Sequence, residues 1–211
     1  MFRFTPIVKN IMIINVIVFV AQMMMKNIAY PSCFPGIEVD IITGYLSMWN
    51  VGSECFKPYQ LFTYMFVHGG FSHIFFNMMG LVVFGPTLET FWGTKKFTLF
   101  YMAAGIGAGV FNILMDLTFG LGSFGIMMGA SGAVYGLLTA FGLTFPNMEL
   151  RLLFPPISIR AKYLVMIMGA LAIYSSFRVR DGDSTAHLAH LGGIVIAIIL
   201  IQFWRGERGN Y

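Results

Sequence analysis

Six apolar runs, separated by short polar segments, set the pattern of this chain. They lie roughly at 7–26, 59–85, 96–116, 129–146, 161–177 and 185–204. A run of about 20 apolar residues matches the hydrocarbon thickness of a bilayer. Backbone in lipid must satisfy its own hydrogen bonds, so a helix is the expected element for each run. The pattern predicts an all-α fold, a polytopic membrane bundle of six transmembrane helices forming one domain over residues 1–211. The fourth run is short, glycine-rich and stops at Pro146. Its helix is expected to begin below the membrane surface, with the preceding loop dipping inward. The longest connection, about 30–58, mixes apolar residues with few charges and holds Trp49, Cys33 and Cys55. It is expected to lie in the outer interface, with Trp49 as an interfacial anchor. The cysteines read either as a disulfide facing an oxidising compartment or as two free thiols.

Composition strengthens the membrane reading. The 211 residues are 57% hydrophobic and 10% charged, with mean hydropathy +0.77, whereas soluble domains carry roughly 25% charged residues. A net charge of +4 does not point to nucleic acid, because the basic residues are scattered between apolar runs. They also orient the bundle. With the N-terminus inside, the inner segments carry Arg3, Lys9, Lys95, Lys96, Arg151, Arg160, Lys162, Arg205 and Arg208. The outer segments carry Lys26, Lys57, Arg178 and Arg180. Nine inside against four outside places both termini inside. Small-residue spacings at Gly105/Gly109, Gly132/Gly136 and Gly193/Ala197 are the usual vocabulary of close helix packing.

Candidate chemistry concentrates in three places. The fourth run opens with Gly129-Ala130-Ser131-Gly132, which sets one hydroxyl among residues with little or no side chain. Alone this is a common packing face. The histidines change the reading, since ionisable groups within spans usually mark function. The second run contains His68, His73 and Asn77, and the last two lie one helical turn apart. They read either as interhelical polar glue or as hydrogen-bond donors aimed at one point. The sixth run opens with His187, His190, Gly192 and Gly193. With both termini inside, runs two, four and six all descend from the outer side. Ser131, His190, His73 and Asn77 then fall at similar depth. A serine with a histidine partner is an activated nucleophile, and acyl transfer also needs donors for the oxyanion. No acidic residue lies near His190 in the sixth run, so the expectation is a Ser131–His190 dyad. Tyr135, one turn after Ser131, is placed to stack on the imidazole. His187, nearer the surface, reads as a wet structural residue.

These residues resemble the rhomboid family of intramembrane serine proteases. The family pattern G-x-S-G, with Tyr at the fourth residue after Ser, is matched by Gly129, Ser131, Gly132 and Tyr135. The pattern H-x4-H-x3-N is matched by His68, His73 and Asn77, and A-H-x-x-G by Ala189, His190 and Gly193. The resemblance covers about residues 58–200. It implies Ser131 as nucleophile, His190 as base, His73 and Asn77 lining the oxyanion site, and His68 near a water-filled cavity. It implies single-span membrane proteins as substrates, the lipid bilayer as the other partner, and no metal or organic cofactor. The compact six-span core points to a bacterial plasma membrane. Some family members have Trp-Arg leading into the second span, where this chain has Tyr59-Gln60, which leaves the seating of the outer loop open. The alternative is a catalytically inactive relative that binds client transmembrane helices, although such a protein would normally lack the serine or the histidine.

Overall fold

Helix α1 (Pro6–Met24) carries the first apolar run and leads into a short helix, α2 (Ile41–Leu46), and strand β1 (Met48–Trp49). Helix α3 (Gln60–Thr63) and a 3-10 turn (Tyr64–Phe66) precede the long helices α4 (Phe71–Trp92) and α5 (Thr94–Phe119). Strand β2 (Ile126–Met127) runs into α6 (Ser131–Thr144). A hairpin of β3 (Glu149–Arg151) and β4 (Ser158–Arg160) leads to α7 (Ala161–Phe177) and α8 (Ser184–Arg208). This computed structural model describes residues 4–31, 33, 36–120, 125–151, 156–177 and 184–208. The expected outer charges Arg178 and Arg180, and Arg3 on the inner side, lie outside the described residues.

By length and composition, α1, α4, α5 and the His187–Trp204 part of α8 can cross a membrane. Helices α6 and α7 are apolar but shorter. At 1.5 Å per residue the 14 residues of α6 reach roughly 21 Å, short of the ~30 Å hydrocarbon. The two antiparallel ladders, β1–β2 and β3–β4, depart from the all-helical expectation. Strands of two or three residues are too short to register as an alternating pattern.

The second apolar run departs most from its expected span. Residues 59–70 do not join the long helix. Gly69 and Gly70 break the chain between the 3-10 turn and α4, so His68 lies in a link ahead of the span. At the other end α4 continues through Pro86 to Trp92, although Pro86 has no N–H to donate. Neighbouring helices make such interruptions tolerable in lipid. The turn into α5 is Gly93 alone, with φ +80°, a left-handed value that glycine adopts without a Cβ penalty.

The loop between α1 and α4 has its own core. Trp49, expected at the interface, is instead buried at 1% exposure. Its Nε1–H donates to the Gly44 carbonyl at 2.7 Å, and its ring stacks on Tyr30. A disulfide joins Cys33 to Cys55, with Cα atoms 5.9 Å apart. Gln60 resolves how this loop is seated. It is fully buried; its Nε2 donates to the Tyr45 and Cys55 carbonyls, each at 3.2 Å. Its Oε1 accepts from the Lys57 N–H at 3.1 Å and the Trp49 N–H at 3.4 Å. A neutral amide thus ties the middle of the loop to its end through four backbone groups. The register Met48↔Met127 and Trp49↔Ile126 joins the loop to the segment that enters α6.

At the end of the bundle where α1 begins, Glu89, 3% exposed in the last turn of α4, closes the bundle onto α1. Its two carboxylate oxygens accept the N–H groups of Ile7 and Val8, each at 3.1 Å. These are orphan donors of the α1 N-terminus, where Thr5 makes no side-chain cap bond. A negative charge also suits the positive end of the helix dipole. Glu89→Ala leaves both N–H groups without this acceptor. Thermal unfolding in detergent should show a loss of about 1–3 kcal/mol, and Glu89→Gln a smaller one. An unchanged transition in the alanine variant would remove Glu89 from this role.

Candidate active site

Ser131 is the first residue of α6, and this helix begins where three backbones crowd together. Gly129, two residues earlier, has φ +115°, a conformation that L side chains rarely adopt. Its N–H donates to the Tyr64 carbonyl at 2.9 Å. A Cβ on Gly129 would lie 2.6 Å from His73 Nε2. Only glycine satisfies both the dihedral and the contact. The first intrahelical bond of α6 runs from the Val134 N–H to the Ala130 carbonyl. The N–H groups of Ser131, Gly132 and Ala133 therefore precede the helical ladder. Among the described residues no side chain caps this terminus. Free N–H groups at the positive end of a helix form a ready site for negative charge.

Helix α8 meets α6 at the same level through bare backbone. A Cβ on Gly193 would overlap the Gly132 carbonyl oxygen. One on Gly136 would lie 3.4 Å from the Gly193 carbonyl and 2.8 Å from Ala104 Cβ on α5. One on Gly132 would come within 2.6 Å of Ala108 Cβ and 3.4 Å of the Ala189 carbonyl. These contacts lock three helices together and set the residue after Ala189 beside the start of α6. That residue is His190. Its imidazole stacks on the Tyr135 ring, centroids 4.1 Å apart and planes 11° off parallel. Tyr135 stands one turn beyond Ser131. Among the described residues no direct hydrogen bond joins the Ser131 hydroxyl to His190. Catalytic hydrogen bonds in unliganded sites are often long and tighten only with substrate. The His187 ring lies 6.1 Å from that of His190, edge to face.

The donors come from the link before α4 and from its first turns. His73 lies in the first turn of α4, and its Nδ1 accepts the Gly69 N–H at 3.3 Å. An accepting Nδ1 leaves the proton of a neutral ring on Nε2, the atom that faces Gly129. Asn77 Nδ2 donates to the His73 backbone carbonyl at 2.9 Å, which occupies one of its two N–H groups. Asn77 and His73 therefore differ in kind. His73 presents its ring to the start of α6, whereas the Asn77 amide is partly committed to its own helix. His68, 2% exposed, sets its ring edge to face with His73 at 5.0 Å. Burial, and then the neighbouring His73 ring, lower its pKa to about 4. Among the described residues no group of three or more His, Cys, Asp or Glu side chains converges as a metal site.

Sequence reasoning passed over Gln22 and took Gln60 only as part of a departure from the Trp-Arg pair; both are buried and hydrogen-bonded to backbone. The available signal was an amide within or bordering an apolar run, which is costly in lipid unless partnered.

Comparison with known proteins shows the family. A family model described as the Rhomboid domain matches residues 56–205. YdcA, a rhomboid relative from Bacillus subtilis (strain 168), is 32% identical over 77% of this chain and 75% of its own length. Rhomboid protein 1, mitochondrial, of Saccharomyces cerevisiae is 27% identical over 88% of this chain and 49% of its own length. Rhomboid protease AarA of Providencia stuartii is 27% identical over 64% of this chain and 52% of its own length. The chain spans about half the length of the latter two. It is an integral membrane protein and belongs to the rhomboid family.

The α6–α8 contact generates a steric prediction. Gly193→Ala inserts a methyl group into the Gly132 carbonyl and should destabilise the bundle by about 1–3 kcal/mol in thermal unfolding. Gly169→Ala, where the nearest atom is Ile194 Cδ1 at 4.0 Å, should be close to neutral. Equal tolerance of the two substitutions would show that the backbones do not touch as described.

Proposed function

We propose that this chain is an intramembrane serine endopeptidase. It hydrolyses peptide bonds in or near the transmembrane segments of single-span membrane proteins. Its single domain crosses the bilayer six times, with both termini on the inner side and the site open to the outer side. The observation that carries the reading is the His190 imidazole stacked on Tyr135, beside the start of α6 where Ser131 stands.

In the proposed reaction the Ser131 hydroxyl attacks the scissile carbonyl carbon while His190 takes its proton. The carbonyl oxygen becomes an oxyanion. His73 Nε2–H, the remaining Asn77 N–H and the Ser131 backbone N–H are its candidate donors, each made before the reaction begins and so needing no reorganisation. The carbon–nitrogen bond then breaks, and His190 returns the proton to the leaving amine. A water molecule, deprotonated by His190, hydrolyses the acyl ester and regenerates Ser131. Tyr135 limits the imidazole to one plane. The short α6 sets this chemistry below the outer surface, where a substrate helix must unwind to expose its carbonyl.

The test is cleavage of a single-span membrane protein by the purified enzyme in detergent or liposomes. Ser131→Ala and His190→Ala should each reduce kcat/KM by about a thousandfold or more, while His187→Ala keeps most of it. Substantial cleavage by Ser131→Ala would remove this serine from the mechanism. Client binding without any cleavage by the wild type would instead identify an inactive, client-holding relative.

A further inference from the structure

The tautomer of His73 traces back to a side chain on a different helix. Gln22 stands in the last turns of α1, 7% exposed, and its amide is engaged on both sides. Its Oε1 accepts the His68 backbone N–H at 3.1 Å, and its Nε2 donates to the His68 carbonyl at 3.1 Å. The glutamine thus treats His68 as a strand treats its neighbour, exchanging both bonds with one residue. Nε2 also donates to Thr43 Oγ1 at 2.8 Å. The Thr43 hydroxyl in turn donates to the Asp40 carboxylate, which caps the N-terminus of α2 through the Thr43 N–H at 2.9 Å. The amide therefore has one workable orientation. Turned over, it would set its oxygen against the His68 carbonyl and against a threonine oxygen whose proton is already given to Asp40.

The next residue after this clamp is Gly69, whose N–H donates to His73 Nδ1. Gly69 and Gly70 have no side chains, so the link has little of its own to hold it. With His68 fixed on both its backbone groups, the Gly69 N–H is aimed. We propose that Gln22 is a positioning residue. Through the His68 backbone and the Gly69 N–H it keeps the His73 proton on Nε2, the nitrogen that faces Gly129 and the start of α6. Asp40 and Thr43 extend the same chain of bonds into the outer loop, so the loop and the donor side of the site are mechanically joined. The catalytic consequence rests on the serine-protease reading above; the ring state of His73 does not.

The experiment reads that ring state directly. Histidine ring nitrogens are labelled with 15N in the detergent-solubilised full chain, and His73 is assigned from a His73→Asn spectrum. Near neutral pH the wild type should show Nε2 protonated and Nδ1 as an acceptor. Gln22→Leu should show a mixture of tautomers, with kcat lowered about two- to tenfold, the range of one modest neutral hydrogen bond, and KM little changed. Gln22→Glu keeps the acceptor for the His68 N–H and loses the donor. It should give a smaller shift towards the other tautomer, and it is read in place of Gln22→Leu if that variant does not fold. A wild-type His73 carrying its proton on Nδ1 overturns the proposal. So does a folded Gln22 variant whose His73 stays wholly in the Nε2–H form. If Ser131→Ala proves active, the protease reading fails while the ring measurement still decides the role of Gln22. If Ser131→Ala is dead and the tautomer is indifferent to Gln22, only the relay fails.

Discussion

Bare backbone contact between α6 and α8 is the constraint on which the rest of this structure depends. Lipid tails give helices no hydrophobic reason to associate, so association rests on close packing and on satisfied polar groups. Gly132 and Gly193 let two main chains meet where a Cβ on Gly193 would overlap the Gly132 carbonyl oxygen. Ala104 and Ala108 on α5 press against α6 beside the same glycines. A glycine that serves packing also fixes rotation about the helix axis, because the contact exists at one angle only. That angle carries His190 to Tyr135. The small residues around Ser131 are thus as much part of the candidate chemistry as the hydroxyl itself.

Buried polar side chains complete what small residues begin. Glu89, Gln60 and Gln22 each hold backbone groups that would otherwise lack partners in an apolar environment. Glu89 and Gln22 join elements that are distant in sequence; Ile7 and Glu89 are 82 residues apart. Glu89 closes the end where α1 begins, Gln60 seats the loop between α1 and α4, and Gln22 ties that loop to the link before α4. The two faces of the candidate site are built differently as a result. The α6–α8 face is held by steric contact, and the His73 face by hydrogen bonds relayed from α1.

Much of this was legible in the sequence for a physical reason. Apolar length is read directly against bilayer thickness, so the runs that became α1, α5, α7 and α8 were placed to within a few residues. The serine, histidines and asparagine stood out because polar groups are rare among such runs. The misreadings share another cause. Residues 59–70 are apolar enough to continue a span, yet Gly69-Gly70 and the burial of the loop between α1 and α4 override hydropathy there. Trp49 was read as an interfacial anchor because composition cannot distinguish a loop lying on lipid from a loop with its own core. Gln22 was passed over, and the role of Gln60 was left open, because most of their partners are main-chain groups, which leave no mark on a sequence.

The central claim is that Ser131 is an activated nucleophile and that His190 activates it. Covalent labelling with a fluorophosphonate probe, followed by mass spectrometric mapping of the adduct, measures this without any choice of substrate. The account predicts one adduct on Ser131 in the wild type, lost in His190→Ala and kept in His187→Ala. A folded wild type that stays unlabelled, or a His190→Ala protein that labels at the wild-type rate, would contradict it.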